Sequence, residues 1–153
     1  MKIFIMRHGE AQLLAATDSE RHLTERGERQ AYAQGQWLRE QEIRFDKVLV
    51  SPYVRAQETL AQINRCFAGE LAAKSENWDA LTPYGNAAPI RDYLALLAQE
   101  NNHQCLLLVS HLPLVGEIVA ELCGNNPVGF NTATLVQIEW DGKLGRVEKV
   151  KSP

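Results

Sequence analysis

The sequence predicts an α/β fold: a three-layer sandwich with a mostly parallel central sheet, helices on both faces and an antiparallel edge near the C-terminus. Three observations carry that expectation. Short runs at Lys2–Met6, Lys47–Val50 and Gln104–Val109 are apolar almost throughout, the pattern of strands covered on both faces. Segments with helical spacing separate them, and strands alternating with helices fold into a sheet packed between helical layers. The chain then closes on two strand-like segments with no helix between them, Thr132–Glu139 and Arg146–Val150, joined at an Asp141-Gly142 turn signal.

Each element follows from its own residues. The first run breaks abruptly into Arg7-His8-Gly9, and a polar loop continues to about Leu23. Thr24 has the character of an N-cap, and the helix after it, Gly27 to Glu42, places Ala31, Trp37 and Leu38 toward a core. After Lys47–Val50, Ser51-Pro52 reads as a helix start, with serine as N-cap and proline at the first helical position. That helix is expected to reach Cys66 or Phe67. Residues 70–85 hold at most one short strand and close at Thr82-Pro83-Tyr84-Gly85. Ala88–Gln99 spaces Ile90, Tyr93, Leu94 and Leu97 along one helical face, and Pro113 opens a last helix that reaches Leu122 before Gly124.

Composition excludes more than it identifies. At 153 residues and 45% hydrophobic content, a chain can bury roughly 70% of the surface its unfolded form exposes without a staple. A net charge of −3 argues against nucleic acid or an anionic membrane as the main partner. The apolar run at the N-terminus is too short for a signal peptide, and no stretch approaches the ~18 apolar residues of a membrane span. Cys66, Cys105 and Cys123 are odd in number with no C-x-x-C pair, so a reducing, cytoplasmic setting is expected rather than a disulfide framework or zinc site. No linker divides residues 1–153, which are expected to form one domain and a monomer.

The charged residues stand where such sheets bind ligands, outside the carboxyl ends of strands. Arg7-His8-Gly9, Ser51-Pro52 and Ser110-His111-Leu112-Pro113 each follow a predicted strand. Arg55 falls in the first turn of a predicted helix, where a cation opposes the helix dipole by up to ~1 kcal/mol. An anion bridging the helix end and the guanidinium would explain it. Arg7, His8, Arg55 and His111 would then converge. Arginine forks suit phosphate oxygens, a neutral imidazole can attack phosphorus, and a second can donate to a non-bridging oxygen. That chemistry is phosphoryl transfer through a phosphohistidine, with the cationic side chains serving in place of a metal; no cofactor is called for. Arg21, on the loop after His8, is a further candidate phosphate contact, and His22 reads as surface.

The same residues carry a family resemblance. Arg7-His8-Gly9, then Leu23-Thr24-x-x-Gly27, Ser51-Pro52-x-x-Arg55-Ala56-x-x-Thr59 and Ser110-His111 resemble, in order and spacing, the histidine phosphatase (phosphoglycerate mutase-like) superfamily. Phe4-Ile5-Met6-Arg7-His8-Gly9, Leu81-Thr82-Pro83-x-Gly85 and Ser110-His111-Leu112-Pro113-Leu114-Val115-Gly116 are similar to the small bacterial phosphohistidine phosphatases of the SixA type. The resemblance implies that His8 is phosphorylated while Arg7, Arg55 and His111 hold the transferred group. It also implies a metal-independent hydrolase acting on a phosphohistidine-bearing protein, such as a phosphotransfer domain of a signalling kinase or a sugar-phosphotransferase-system protein.

The sequence departs from larger relatives in two respects. They usually carry insertions that cover the site, whereas the stretch from Arg55 to His111 has room only for helix, weak strand and helix, so no sizeable cap insertion is expected. They also usually carry an acidic general acid in the segment matching residues 70–85, where Glu76 and Asp79 are the candidates here. A phosphoramidate can be protonated on its own leaving nitrogen, which lessens the need for such an acid. A phosphatase for small metabolites and a catalytically silent phosphate-binding module remain the alternatives.

Overall fold

Side chains alternate across a strand, so an apolar strand must be covered on both faces. In the computed structural model of the chain, which describes residues 1–100 and 103–153, β1 (Lys2–Arg7) meets this demand. Ile3 and Ile5 enter one hydrophobic layer and Phe4 and Met6 the other. β2 (Lys47–Val50) and β4 (Cys105–Ser110) repeat the division: Leu49, Leu106 and Leu108 face the first layer, Val48, Val50, Leu107 and Val109 the second.

The remaining elements are α1 (Glu25–Glu40), α2 (Val54–Arg65), β3 (Ser75–Asn77), α3 (Ala87–Ala98), α4 (Leu114–Cys123), β5 (Leu135–Trp140) and β6 (Gly145–Lys151), with short 3-10 turns between. The strands form one six-stranded sheet in the order β3-β2-β4-β1-β5-β6. β3, β2, β4 and β1 run parallel, and β5 and β6 complete the predicted antiparallel edge. Leu38 of α1 and Leu60 and Ile63 of α2 cover the Phe4–Met6 face. Ile90, Leu94 and Leu97 of α3 and Ile118, Val119 and Leu122 of α4 cover the Ile3–Ile5 face. The chain winds outward from β1 to β3 with its helices on one face and returns through β4 with them on the other.

Two elements differ from the sequence reading. α2 begins at Val54 with Tyr53 in the N-cap position, so Ser51 and Pro52 lie before the helix, not within its first turn. The Ser51 side chain is engaged elsewhere, as described below. β5 begins at Leu135 rather than Thr132, because residues 130–134 turn back to hold the end of β1: Thr134 O accepts from Arg7 N–H (3.1 Å) and Ala133 N–H donates to His8 O (2.9 Å). Thr24 caps α1 as expected, its hydroxyl accepting from Gly27 N–H at 3.0 Å. Gly124 ends α4 at a positive φ of 86°, which glycine adopts without strain. No helix among the described residues is long and apolar enough to cross a membrane.

Candidate active site

Register assembles the site. Arg7 of β1 pairs with Ser110 of β4, so the next residues, His8 and His111, leave adjacent strands side by side with ring centroids 5.1 Å apart. Val50 of β2 pairs with Val109, which sets Ser51 beside the same strand end. α2, rising from that end, supplies Arg55. The predicted convergence of Arg7, His8, Arg55 and His111 on one end of the sheet is thus present, and His8, Arg55 and His111 are all buried.

The hydrogen bonds of His8 determine its tautomer. Nδ1 lies 2.7 Å from Gly9 O, and a carbonyl can only accept, so Nδ1 carries the proton. Nε2 then presents a lone pair, and Arg55 Nε–H donates to it at 3.2 Å. Burial, with the charges of Arg55, Arg7 and Arg21 adding to it and the bond to Gly9 opposing it, depresses the His8 pKa to about 4. At neutral pH the ring is therefore an uncharged base whose free nitrogen faces a guanidinium.

His111 is fixed by the residue displaced from the helix cap. Ser51 Oγ accepts from Tyr53 N–H (3.2 Å) and lies 2.7 Å from His111 Nε2. Ser51 is fully buried, and His111 Nε2 is the one acceptor its hydroxyl proton has among the described residues, so the hydroxyl donates to Nε2 and the His111 proton lies on Nδ1. That Nδ1 and Arg7 Nε are buried without a hydrogen-bond partner in the protein. Buried donors left unpaired cost about 1–3 kcal/mol each, so two of them within one cluster suit an acceptor binding there. Burial, the neighbouring His8 and Arg55 bring the His111 pKa down to about 3.

Arg55 is the second residue of α2, only 4% exposed, in a first turn that contains no acidic residue. The sequence reading placed a bound phosphate beside it; in the structure the side chain and carbonyl of Asp18 stand there. Arg55 Nη1 donates to Asp18 O at 2.7 Å and Nη2 to Asp18 Oδ2 at 3.2 Å, while the Tyr53 ring lies 5.0 Å beneath the guanidinium. Arg21 joins the group through Asp18 Oδ1 at 2.9 Å. Arg7 Nη1 donates to Phe130 O at 3.1 Å, anchoring that side chain to the loop before β5.

The motif glycines and Thr59 hold this constellation to its scaffold. A Cβ on Gly9 would sit 2.6 Å from Gly27 O, and one on Gly27 would sit 2.0 Å from Glu10 O, so the loop after β1 can lie on the start of α1 only without side chains there. Thr59 Oγ1 accepts from Gly9 N–H at 3.0 Å and donates to Arg55 O at 2.7 Å, tying the His8 loop to α2.

Other sequence candidates separate. Glu76 pairs with Lys47 Nζ at 2.9 Å, toward the start of β2 and away from Ser51 at its other end. Asp79 is exposed just beyond β3, on the site's end of the sheet, where Trp78 N–H donates to Val50 O. His22 is exposed and pairs with Glu58. Sequence reasoning missed the roles of Asp18 and Ser51. The misplaced charge of Arg55 was read as the mark of a bound phosphate, and nothing local pointed to a carboxylate of the chain as well.

Comparison with known proteins agrees with the geometry. A family model for the histidine phosphatase superfamily (branch 1) matches residues 3–81. The phosphohistidine phosphatase SixA homolog of Haemophilus influenzae is 52% identical over 153 aligned residues, covering 96% of this chain and 93% of that protein. The chain belongs to the histidine phosphatase superfamily. Phosphohistidine phosphatase SixA of Escherichia coli is 41% identical, across 92% of this chain and 86% of that one. A solved structure of the protein histidine phosphatase SixA complexed with tungstate superposes with a TM-score of 0.92 and 39% identity, covering 100% of this chain and 97% of that one. The fold of this superfamily member, including its antiparallel C-terminal strands, follows that match.

The two depressed histidine pKa values give this histidine phosphatase an acid liability. Both folded values lie below the ordinary 6.5, so between them the unfolded chain takes up protons that the folded chain refuses. Stability is expected to fall as pH drops below about 6.5, by up to ~1.4 kcal/mol per pH unit for each ring. Urea titrations from about pH 7 to pH 5 check this, and His111→Asn should show the shallower dependence of the two proteins. Equal slopes would mean that His111 titrates normally in the folded state.

Proposed function

We propose that the chain is a phosphohistidine phosphatase that takes phosphate from a histidine of a partner protein and passes it through His8 to water. The observation that carries this reading is the His8 imidazole itself, uncharged, with Nδ1–H on Gly9 O and its Nε2 lone pair facing Arg55. In the first step Nε2 forms a bond to phosphorus as the bond from phosphorus to the substrate imidazole breaks. That imidazole leaves neutral once its distal nitrogen is protonated. Positive charge then grows on the His8 ring, and the Gly9 carbonyl on Nδ1–H stabilises it. Arg55 Nε–H transfers from Nε2 to a phosphoryl oxygen, and Arg7 and the Nδ1–H of His111 take the other equatorial oxygens. In the second step water attacks phosphorus, the phosphorus–Nε2 bond breaks, and phosphate leaves.

The identity of the relatives supports a phosphohistidine substrate, since two of them at 52% and 41% identity are a SixA homolog and a SixA phosphohistidine phosphatase. A protein as its carrier is supported by the surroundings. Leu13 and Leu14, both 87% exposed, stand on the loop that also holds Asp18 and Arg21, and the exposed Leu112 directly follows His111. Such apolar side chains beside a charged site suit contact with a folded surface better than with a small anion. Among the described residues from Arg55 to His111 the chain builds the rest of α2, then β3, α3, β4 and short turns, which supports one domain over residues 1–153 without a sizeable cap insertion. Three free thiols fit a cytoplasmic setting, and the signalling or phosphotransfer protein that carries the substrate histidine meets a monomer there.

The leaving group tests the reading. With imidazole departing, no enzyme acid is needed, so Asp79→Asn should cost less than about tenfold in kcat/KM on a phosphohistidine protein, against ~10²–10⁴ for loss of a true general acid. Wild-type hydrolysis of p-nitrophenyl phosphate should be poor. Efficient ester hydrolysis that collapses in Asp79→Asn would instead make the protein a small-metabolite phosphatase with Asp79 as its acid.

A further inference from the structure

Arg55 has five N–H donors, and the way they are spent decides where the guanidinium points. Its Nε edge faces His8, 3.2 Å from the reacting nitrogen. Its outer edge is held by a single residue, with Nη1 on the main-chain carbonyl of Asp18 and Nη2 on Asp18 Oδ2. The second carboxylate oxygen, Oδ1, takes Arg21 Nε at 2.9 Å, and Arg21 Nη1 is tied in turn to Gln12 O at 3.0 Å. Asp18 opens a 3-10 turn, Asp18–Glu20, on a loop remote in sequence from α2.

We propose that Asp18 is a positioning residue of this site, clamping Arg55 by its outer edge and Arg21 beside it so that the Nε edge of Arg55 is aimed at the phosphoryl group before substrate arrives. The proposal rests on the reading of His8 as the phosphoryl acceptor. It assigns Asp18 neither of the other roles a carboxylate could take here. A proton donor is excluded by charge: burial would raise the Asp18 carboxyl pKa, but Arg55 and Arg21 outweigh it and hold the value below the usual range, so the group is anionic. Nor do the hydrogen bonds put Asp18 on the reacting nitrogen: its oxygens take Nη1 and Nη2 of Arg55, while the Nε–H stays on His8 Nε2.

The clamp also keeps cations together. Arg7, Arg21 and Arg55 all act on His8 electrostatically, and without a carboxylate between them Arg21 and Arg55 would repel and swing toward solvent. Arg55 is buried on α2, whereas the Asp18 side chain is 51% exposed on its loop. Asp18 therefore adds little packing, and its loss should be felt in catalysis before stability.

The test compares wild type, Asp18→Asn and Asp18→Ala by titration calorimetry with sodium tungstate and by kcat and KM on a phosphohistidine protein. Misaiming a catalytic group by about an ångström can cost on the order of 10²-fold. Asp18→Ala is expected to lower kcat by roughly 10–100-fold and to weaken tungstate binding, with little change in melting temperature. Asp18→Asn, which keeps an acceptor but not the charge, should fall between. Unchanged kcat and tungstate affinity in Asp18→Ala, or tighter tungstate binding, would overturn the proposal while leaving His8 in place. A lower melting temperature with wild-type kinetics would do the same. Wild-type protein that neither binds tungstate nor turns over substrate would remove the reading of the site, and this inference with it.

Discussion

His8→Ala is expected to abolish turnover while the protein stays folded and continues to bind tungstate. His8 alone offers an uncharged ring nitrogen toward Arg55, and its lone pair has no substitute among its neighbours: His111 Nε2 is engaged by Ser51 and its Nδ1 carries the proton. Loss of a covalent nucleophile is felt on a scale of roughly 10⁴-fold or more in kcat. Arg7, Arg55 and His111, the proposed oxyanion ligands, are untouched by the substitution, so affinity for tungstate should survive in weakened form. The fold should tolerate the change as well, because His8 extends beyond β1 and is not a member of either hydrophobic layer. Steady-state kinetics with tungstate calorimetry on the same preparation read both quantities. Substantial activity in His8→Ala would remove the covalent mechanism.

Arg55→Ala should lower kcat by ~10²–10³, the usual cost of removing one preorganised donor to a developing oxyanion. Stability should change little. A cation in the first turn opposes the helix dipole by up to ~1 kcal/mol, and its removal relieves that as it forfeits the bonds to Asp18 and the Tyr53 ring. Arg55→Lys should rescue poorly, since an ammonium cannot hold Asp18 by two nitrogens and present a third to His8 at once. Thermal melts and kcat for both variants decide the matter. A variant that loses most of its stability yet keeps kcat would make Arg55 a structural residue.

The sequence disclosed the parts of this site that depend on local pattern. β1, β2 and β4 were legible because each is apolar on both faces, and Arg7, His8 and His111 were legible because charge follows directly where those runs stop. Ser51 was not. Its contact with His111 exists only because β4 lies between β1 and β2, an order set by long-range pairing, and Ser-Pro before a helix looks the same whether or not a histidine stands opposite. The β5 boundary was misplaced for a related reason: Ala133 adopts a positive φ of 59° and Thr134 serves Arg7, so residues that read as strand form the brace at the end of β1. Asp18 sits in a polar loop without periodicity. Arg55, a cation standing where the helix dipole prefers an anion, suggested a bound phosphate, and only the three-dimensional arrangement brought the Asp18 carboxylate to it.

The central claim is that phosphate passes through His8, and trapping the intermediate tests it most directly. Wild-type protein is mixed with a phosphohistidine protein carrying radiolabelled phosphate, quenched in alkali within the first turnover, and digested for peptide mapping. Label should appear on the peptide that contains His8, bonded at Nε2, stable to alkali and released by acid, and it should be absent from His8→Ala. Rapid loss of label from the substrate with none captured at His8, at any quench time in the first turnover, would mean that water attacks phosphorus directly.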